Sequence, residues 1–275
     1  MKIKSYAKLN LTLEIIKKNS NNYHEISGIY QNISLFDEIT IKESANDSVI
    51  VVNKDISQSN NIAFKALKLI KKEMQIKNSF SVDIKKNIPI SSGLGGGSSN
   101  AAAVIYGLNH MLNLNLSINE MISFSQKIGS DIAFFYTGGT CLVSGLGDKI
   151  EKLNKLIIDN FNLLYVPINL KNKTANMYKL INESKFTDGK KTKDLKKSIT
   201  NSQKVDPKSF YNVFFDIAKS NFNSLKLYSD EMYNIFSNCS LSGAGMTLFS
   251  VSNKSFDLNK YGQFTPVDIG LEIVS

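Results

Sequence analysis

Cysteine, histidine and tryptophan are almost missing from this chain. It has two cysteines, two histidines and no tryptophan in 275 residues. Cys141 and Cys239 lack Cys-x-x-Cys spacing, so no disulfide framework is expected and a reducing, cytoplasmic setting fits. Cys141, in the run Thr140-Cys141-Leu142-Val143, reads as a small core residue. His24 and His110 are too few for a His/Cys metal centre. No apolar run reaches the ~20 residues of a membrane span. Lys8, Asn10 and Glu14 interrupt the apolar N-terminus, which argues against a secretion signal and a membrane partner.

Arginine is absent too. All 33 basic residues are lysines; with 24 acidic residues they give a formal net charge of +9. Such an excess attracts polyanions: nucleic acid, acidic membranes or phosphorylated small molecules. No arginine stripe or aromatic-basic interleaving is present, so nucleic acid is not the expected partner. Lysine, asparagine and isoleucine are common throughout, and composition alone explains much of the charge. Hydrophobic content of 42% and charged content of 21% are ordinary for a globular protein. The length is comfortable for two modest cores.

Residues 3–15 alternate with period two. Ile3, Ala7, Leu9, Leu11, Leu13 and Ile15 fall on one face, and Lys4, Lys8, Asn10, Thr12 and Glu14 on the other, the pattern of a half-buried strand. Lys8 and Asn10 then project from the same side. Further strands are expected at 29–42, 48–53 and 79–85. Ile62, Ala66, Leu69, Ile70 and Met74 recur at helical spacing. A second helix is expected over 98–113, and a third begins at Ser117, where Ser117-Ile-Asn-Glu120 reads as a capping box. Residues 184–206 lose apolar periodicity and read as a loop or mobile excursion. The second half reads as a strand near 163–166, helices near 174–183, 207–221 and 224–237, a glycine turn at 243–245, and strands near 246–251 and 270–274. The whole is an α+β, mixed α/β pattern, with a domain boundary near 155: residues 1–155 and 156–275.

The most informative segment is Pro89-Ile-Ser-Ser-Gly93-Leu94-Gly95-Gly96-Gly97-Ser98-Ser99-Asn100-Ala101-Ala102. Four glycines in five residues let backbone N–H groups close on a ligand. The helix behind them points its positive end to the same place. One of Ser98 and Ser99 can hold a phosphate oxygen while the other reaches Mg²⁺. No Lys-Ser/Thr follows the glycines, so this is not a Walker A loop. No acidic residue follows at the dinucleotide spacing, and Pro89 cuts the preceding strand.

This segment resembles the second motif of the GHMP kinases, and Gly-Gly-Gly-Ser-Ser-Asn-Ala-Ala is similar to the version found in diphosphocytidyl-methylerythritol kinases. Ala7-Lys8-Leu9-Asn10-Leu11-Thr12-Leu13 resembles the first GHMP motif. Gly129-Ser130-Asp131-Ile132-Ala133-Phe134-Phe135 resembles the family's Gly-x-Asp-(Val/Ile)-Pro-Phe-Phe, with Ala133 replacing the usual proline. Leu241-Ser242-Gly243-Ala244-Gly245 resembles the third motif. The acidic Asn-Asp-Leu-Glu stretch common upstream is missing, Asn212-Val213-Phe214-Phe215 standing nearest.

The resemblance implies a two-domain GHMP kinase architecture, an N-terminal ribosomal-S5-domain-2-like domain followed by a C-terminal α+β sandwich. It implies ATP and Mg²⁺ as cofactors, with the γ-phosphoryl passing to the 2-hydroxyl of 4-diphosphocytidyl-2-C-methyl-D-erythritol in the non-mevalonate isoprenoid pathway. Lys8 and Asp131 would be catalytic, Asp131 as general base or as the group that orients the hydroxyl. Pro89, Gly93, Leu94, Gly95, Gly96, Gly97, Ser98 and Ser99, with Asn61 and Lys86, would bind ATP. Asn10, Tyr23 and His24 would hold the cytidine diphosphate derivative, Ser99 would touch the metal, and Gly243 and Gly245 would support the phosphate loop. The partner implied is a small molecule, with no nucleic acid or membrane, and the chain would be a monomer or weak homodimer. The alternatives are another GHMP kinase of homoserine or mevalonate type, or a non-catalytic binding protein on the same fold.

Overall fold

A computed structural model describes residues 1–20, 23–52, 56–166, 173–201, 204–252 and 262–274. The last residue of the strand expected at 48–53 lies outside them, as do positions 202–203 of the segment expected to be a loop. The chain opens with β1 (Lys2–Asn10), β2 (Thr12–Lys18), β3 (His24–Ser44) and β4 (Ser48–Val51). It continues through α1 (Ile62–Glu73), β5 (Ser79–Lys85), α2 (Gly96–Met111), α3 (Ile118–Ser125), α4 (Ile132–Thr137), β6 (Thr140–Gly145) and β7 (Lys149–Lys152). The remainder is β8 (Phe161–Tyr165), α5 (Lys173–Lys179), α6 (Lys190–Thr200), β9 (Tyr211–Asn212), α7 (Val213–Asn221), α8 (Asn223–Phe236), β10 (Ser240–Ser242), β11 (Thr247–Val251), β12 (Gly262–Phe264), β13 (Pro266–Val267) and β14 (Leu271–Val274). The capping box at Ser117 forms as expected, with Glu120 accepting from the Ser117 N–H and its own N–H reaching the Ser117 hydroxyl.

The long β3 is the spine of a ten-stranded sheet, pairing with β1, β2, β5, β6 and β13. A separate four-stranded sheet runs β10-β11-β8-β12. α2 is buried almost all round, and its small residues Ala101, Ala102 and Ala103 let its neighbours on several sides come close. Gly107 carries that contact furthest: a Cβ there would stand 2.6 Å from Ile41 Cδ1 and 2.7 Å from Ile3 Cδ1. One core lies between the large sheet and α1, α2 and α4. A second fills the space between the sheets, where Ala7, Leu9, Leu11, Ile29 and Ile33 meet Phe161, Leu163 and Phe249.

The strand expected across 3–15 is two strands broken at Leu11, and its faces are not the simple pair that alternation implies. The β1–β3 register shifts between Tyr6 and Ala7: Tyr6 pairs with Phe36 and Ala7 with Ile33, so β3 carries Ser34 and Leu35 between two adjacent residues of β1. Before it, Ile3 and Ser5 face α2; after it, Ala7, Leu9 and Leu11 face the second core. The even-numbered Lys8 and Asn10 therefore take over the α2 side. Nor is the polar face half-exposed: Lys8, Asn10, Thr12 and Glu14 are all buried.

Part of that cover comes from the segment expected to be a loop. Residues 190–200 form α6, which docks Leu195 and Ile199 into the second core. Glu14 accepts the Thr192 N–H at 2.7 Å, a carboxylate set against the start of a helix, where the backbone dipole favours it. Thr192 Oγ1 donates to Thr12 Oγ1 at 3.0 Å. The lysine-rich sequence hid the helix because only three of its residues are buried.

Candidate active site

The glycine segment forms a turn that wraps the start of α2. Gly93 and Gly95 have φ of 87° and 72°, the left-handed region where a side chain is strained. At Gly95 space forbids one as well: a Cβ would lie 2.8 Å from Phe135 Cζ and 3.0 Å from Lys8 Cγ. The lysine stem thus runs directly beneath the turn. The Lys8 N–H also donates to the Leu94 carbonyl at 2.9 Å, which ties strand to turn.

At the far end of that stem the ammonium of Lys8 is almost fully enclosed. Its Nζ donates to Asn10 Oδ1 at 2.6 Å, stands 3.4 Å from Asp131 Oδ2, and lies 4.9 Å from the centre of the Tyr30 ring. Asp131 sits at the start of α4, where an aspartate commonly caps the helix. Here its side chain makes no cap bond, so the carboxylate is left to face Lys8. Its side chain is 35% exposed against 3% for Lys8, so it meets the cleft while the lysine stays behind it. Burial, with the Asp131 charge second, pushes the phenols of Tyr30 and Tyr178 well up, so both stay protonated.

The turn is locked from behind by the third glycine segment. The Met246 and Thr247 N–H groups both donate to the Ser92 carbonyl at 3.1 Å, and Ser242 Oγ donates to the Gly93 carbonyl at 3.2 Å. A Cβ on Gly93 would reach 2.8 Å from Gly245 Cα, and one on Gly245 would overlap the Ser92 carbonyl and the Gly93 N–H. Asn212 Nδ2 donates to the carbonyls of Leu241 and Gly243, at 2.7 and 2.9 Å, while its Oδ1 accepts the Phe214 N–H.

These elements surround one cleft of about 1190 Å³. Single-ligand pockets run to ~300–1,000 Å³, so this one has room for two molecules side by side. Five lysines (Lys8, Lys18, Lys86, Lys127 and Lys179) and two aspartates (Asp131 and Asp148) line it, which favours anionic ligands. Of the residues singled out in the sequence, Lys8, Asn10 and Asp131 meet at its floor. Pro89, Gly93, Gly95, Gly96, Gly97 and Ser98 form one wall, joined by Asn61 and Lys86. Gly243 and Gly245 close the back, and Tyr23 and His24 stand at the other end.

Two of those residues do not line the cleft. Leu94 points into the second core, and Ser99 is fully buried with its hydroxyl unpartnered. Helix phase explains the split between the serines: α2 begins at Gly96, so Ser98 is turned to the cleft and Ser99 to the sheet. Ser99, expected to touch Mg²⁺, is thus closed off from the cleft, and Ser98 is the serine of the pair that lines it. Among the described residues no group of three or more metal-ligating side chains occurs, and no helix is long and apolar enough to cross a membrane.

At the far end His24 packs on Tyr178 with ring centres 5.3 Å apart, and on Phe186 at 6.2 Å. Burial first, and Lys18 second, hold its imidazole below the ordinary histidine range. Tyr23 is 67% exposed at the mouth. His110 packs on Tyr106 within α2 and has no part in the cleft. The sequence reading missed Tyr30, Tyr178, Asp37, Asn100 and Asn212. Asn212 carried a usable signal, an asparagine directly before Val213-Phe214-Phe215, which is a helix-cap pattern.

Residues 61–139 match the model for the N-terminal domain of GHMP kinases. A 4-diphosphocytidyl-2-C-methyl-D-erythritol kinase of Caldicellulosiruptor saccharolyticus is 46% identical over 156 residues, 56% of this chain and 54% of that one, so the alignment spans about half of that relative. A protein of the same name from Alkaliphilus oremlandii is 34% identical over 263 residues, 94% of this chain and 89% of that one. Among solved structures, a 4-(cytidine 5'-diphospho)-2C-methyl-D-erythritol kinase superposes with a TM-score of 0.76 at 20% identity, covering 92% of this chain and 90% of that one.

Proposed function

The chain belongs to the 4-diphosphocytidyl-2-C-methyl-D-erythritol kinases of the GHMP superfamily, and on that premise we propose that it transfers the γ-phosphoryl of ATP to the 2-hydroxyl of that cytidyl substrate, giving the 2-phosphate and ADP. The observation that carries the reading is the Lys8–Asp131 pair, 3.4 Å apart, directly beneath a glycine turn that opens on the same cleft.

Phosphoryl transfer asks the protein mainly for positioning and charge stabilisation. The N–H groups of Gly95–Gly97 and the start of α2 face the triphosphate, with Ser98 beside them. Magnesium bound with the triphosphate would supply charge neutralisation, and Ser98, whose hydroxyl lines the cleft, would be the side chain beside it. The substrate hydroxyl attacks phosphorus as the bond to the ADP oxygen breaks, and its proton passes to the Asp131 carboxylate. Lys8 orients that carboxylate, and its ammonium offsets charge on the transferring oxygens. Asn10 and the Tyr30 ring hold Lys8 in turn. The same reading divides the chain near residue 155, the first part carrying both reactive side chains and the second closing the back of the cleft. The partner is this small molecule rather than nucleic acid or a membrane.

An ADP-release assay with the cytidyl substrate, homoserine and mevalonate tests the assignment. The cytidyl compound is expected to exceed both in kcat/KM by at least ~100-fold, since a site built for hydrogen bonding discriminates strongly. Comparable turnover of homoserine or mevalonate would remove the substrate assignment and leave the kinase.

The aromatic end of the cleft gives a second expectation. Tyr178 and His24 offer flat faces to a pyrimidine, and base stacking contributes ~1–3 kcal/mol. Tyr178→Ala is expected to raise KM for the cytidyl substrate by roughly 5- to 100-fold while KM for ATP stays put. Steady-state kinetics with each substrate varied in turn measures both, and an equal rise in the two would point to a general collapse of the cleft.

A further inference from the structure

Lys86 is not a free cation on the cleft wall. Its Nζ is paired with Asp37 Oδ2 and donates to Asn100 Oδ1 at 3.2 Å; the side chains of Lys86 and Asp37 are 8% and 0% exposed. Asp37 accepts more than that ion pair. Its Oδ1 takes the N–H groups of Asn87 and Ile88, both at 2.8 Å, and its Oδ2 takes Asn100 Nδ2 at 2.9 Å. One carboxylate from β3 thus holds the lysine, the chain leading into the glycine turn, and the first turn of α2. Asn100 also donates to Ser5 Oγ at 2.8 Å, which brings β1 into the same cluster.

The position of the ammonium gives the cluster its meaning. A Cβ on Gly96, the first residue of α2, would lie 2.7 Å from Lys86 Nζ. The cation therefore sits against the positive end of a helix and partly out of water, an arrangement unfavourable on both counts. Asp37 offsets it. The charges and dipoles around Lys86 are Asp37 from β3, the Asn100 amide and backbone start of α2, and, through Asn100, the Ser5 hydroxyl of β1. Burial lowers the ammonium's proton affinity and Asp37 opposes the fall.

We infer that Asp37 is a positioning residue for the nucleotide: by its charge it keeps Lys86 protonated and held over the start of α2, so that phosphate oxygens meet a preformed cation there. The inference rests on the nucleotide reading of the cleft. An asparagine at 37 would still accept from the two backbone N–H groups, but it would bring an amide donor against the ammonium and remove the opposing charge. Lys86 would then lose its proton at lower pH, and nucleotide affinity would fall as pH rises.

The experiment is a titration of a fluorescent ADP derivative with Mg²⁺ against wild type, Asp37→Asn and Lys86→Met, at about pH 6.5 and about pH 9, a range that brackets a strongly depressed lysine. Asp37→Asn is expected to bind at least ~10-fold more weakly than wild type at the alkaline end, and to recover toward wild type when the same sample is acidified. Lys86→Met should be weak at both. Wild-type affinity in Asp37→Asn at about pH 9 would overturn the inference. So would a loss that acid does not restore, which would mark Asp37 as a packing residue only. Wild type failing to bind would remove the nucleotide reading itself. A second measurement needs no change at Asp37. In ¹⁵N-lysine NMR spectra of wild type, the Lys86 ammonium signal, assigned by its loss in Lys86→Arg, should persist into alkaline buffer and move when Mg-ADP is added. A signal that stays in place with nucleotide bound would also refute the positioning role.

Discussion

Asp131→Asn should lower kcat by roughly 10²- to 10⁴-fold, the usual range for loss of a positioned proton acceptor, and leave both KM values within about threefold. The substitution keeps size and shape. The side chain is 35% exposed and caps no helix, so the fold has little reason to respond. What changes is the ability to take a proton and the charge facing Lys8. An ADP-release assay on wild type and variant separates the possible roles. If Asp131 accepts the proton, the loss in kcat lies toward the upper end of that range. If it only orients the hydroxyl, the loss is smaller. Equal activity would take Asp131 out of the mechanism. Lys8→Met is the companion, because methionine retains part of the stem beneath Gly95 and removes the ammonium. A comparable fall in kcat, with a double variant little worse than either single one, is the signature of two groups acting as a unit.

Gly245→Ala should be a severely damaging single methyl at the back of the cleft. Its Cβ would overlap the Ser92 carbonyl and Gly93 N–H, and Ser92 also accepts from Met246 and Thr247. These are backbone atoms and cannot swing aside like the end of a side chain. The turn must move, carrying the N–H groups at the cleft wall. A cost of ~2–4 kcal/mol is expected, within the range of overpacking and broken buried hydrogen bonds. Thermal melting should register it as a lowered Tm, and KM for ATP should rise by at least ~10-fold at temperatures where the variant stays folded. A variant with wild-type Tm and wild-type KM for ATP would mean that the two glycine segments are not coupled. Gly97→Ala is a built-in comparison. A Cβ there meets only Ile62 Cγ2, at 3.3 Å, so its effect on Tm should be slight.

Short-range chemistry made some of this visible in the sequence. The glycine turn was legible because four glycines and two serines before an alanine-rich helix have few other uses, and the serine–glutamate capping box because its bonds lie within three residues. Long-range partners were not legible. Asp37 stands 49 positions from Lys86, and nothing local marks it as more than a polar residue in a long strand. Tyr30 reads as one more strand aromatic until Lys8 is set over its ring. α6 was missed for the opposite reason: its composition resembles a solvated loop, and only the contacts of Thr192, Leu195 and Ile199 reveal a helix with one covered stripe. The choice between Ser98 and Ser99 turned on where the helix begins, a matter of one residue that propensity does not settle.

The register shift after Tyr6 makes the address of the Lys8 ammonium a matter of counting. Strand side chains point alternately up and down, so the break at Tyr6–Ala7 acts as a parity switch: odd positions face α2 before it and even positions after it. Delete one residue between that point and position 8, and the ammonium would swing toward greasy neighbours such as Phe161 while a leucine took its place beneath the glycines. Such a frameshift in geometry alone would silence the protein with nearly every atom of its chemistry still present, and a deletion scan across positions 5–8 would show odd and even steps with opposite consequences.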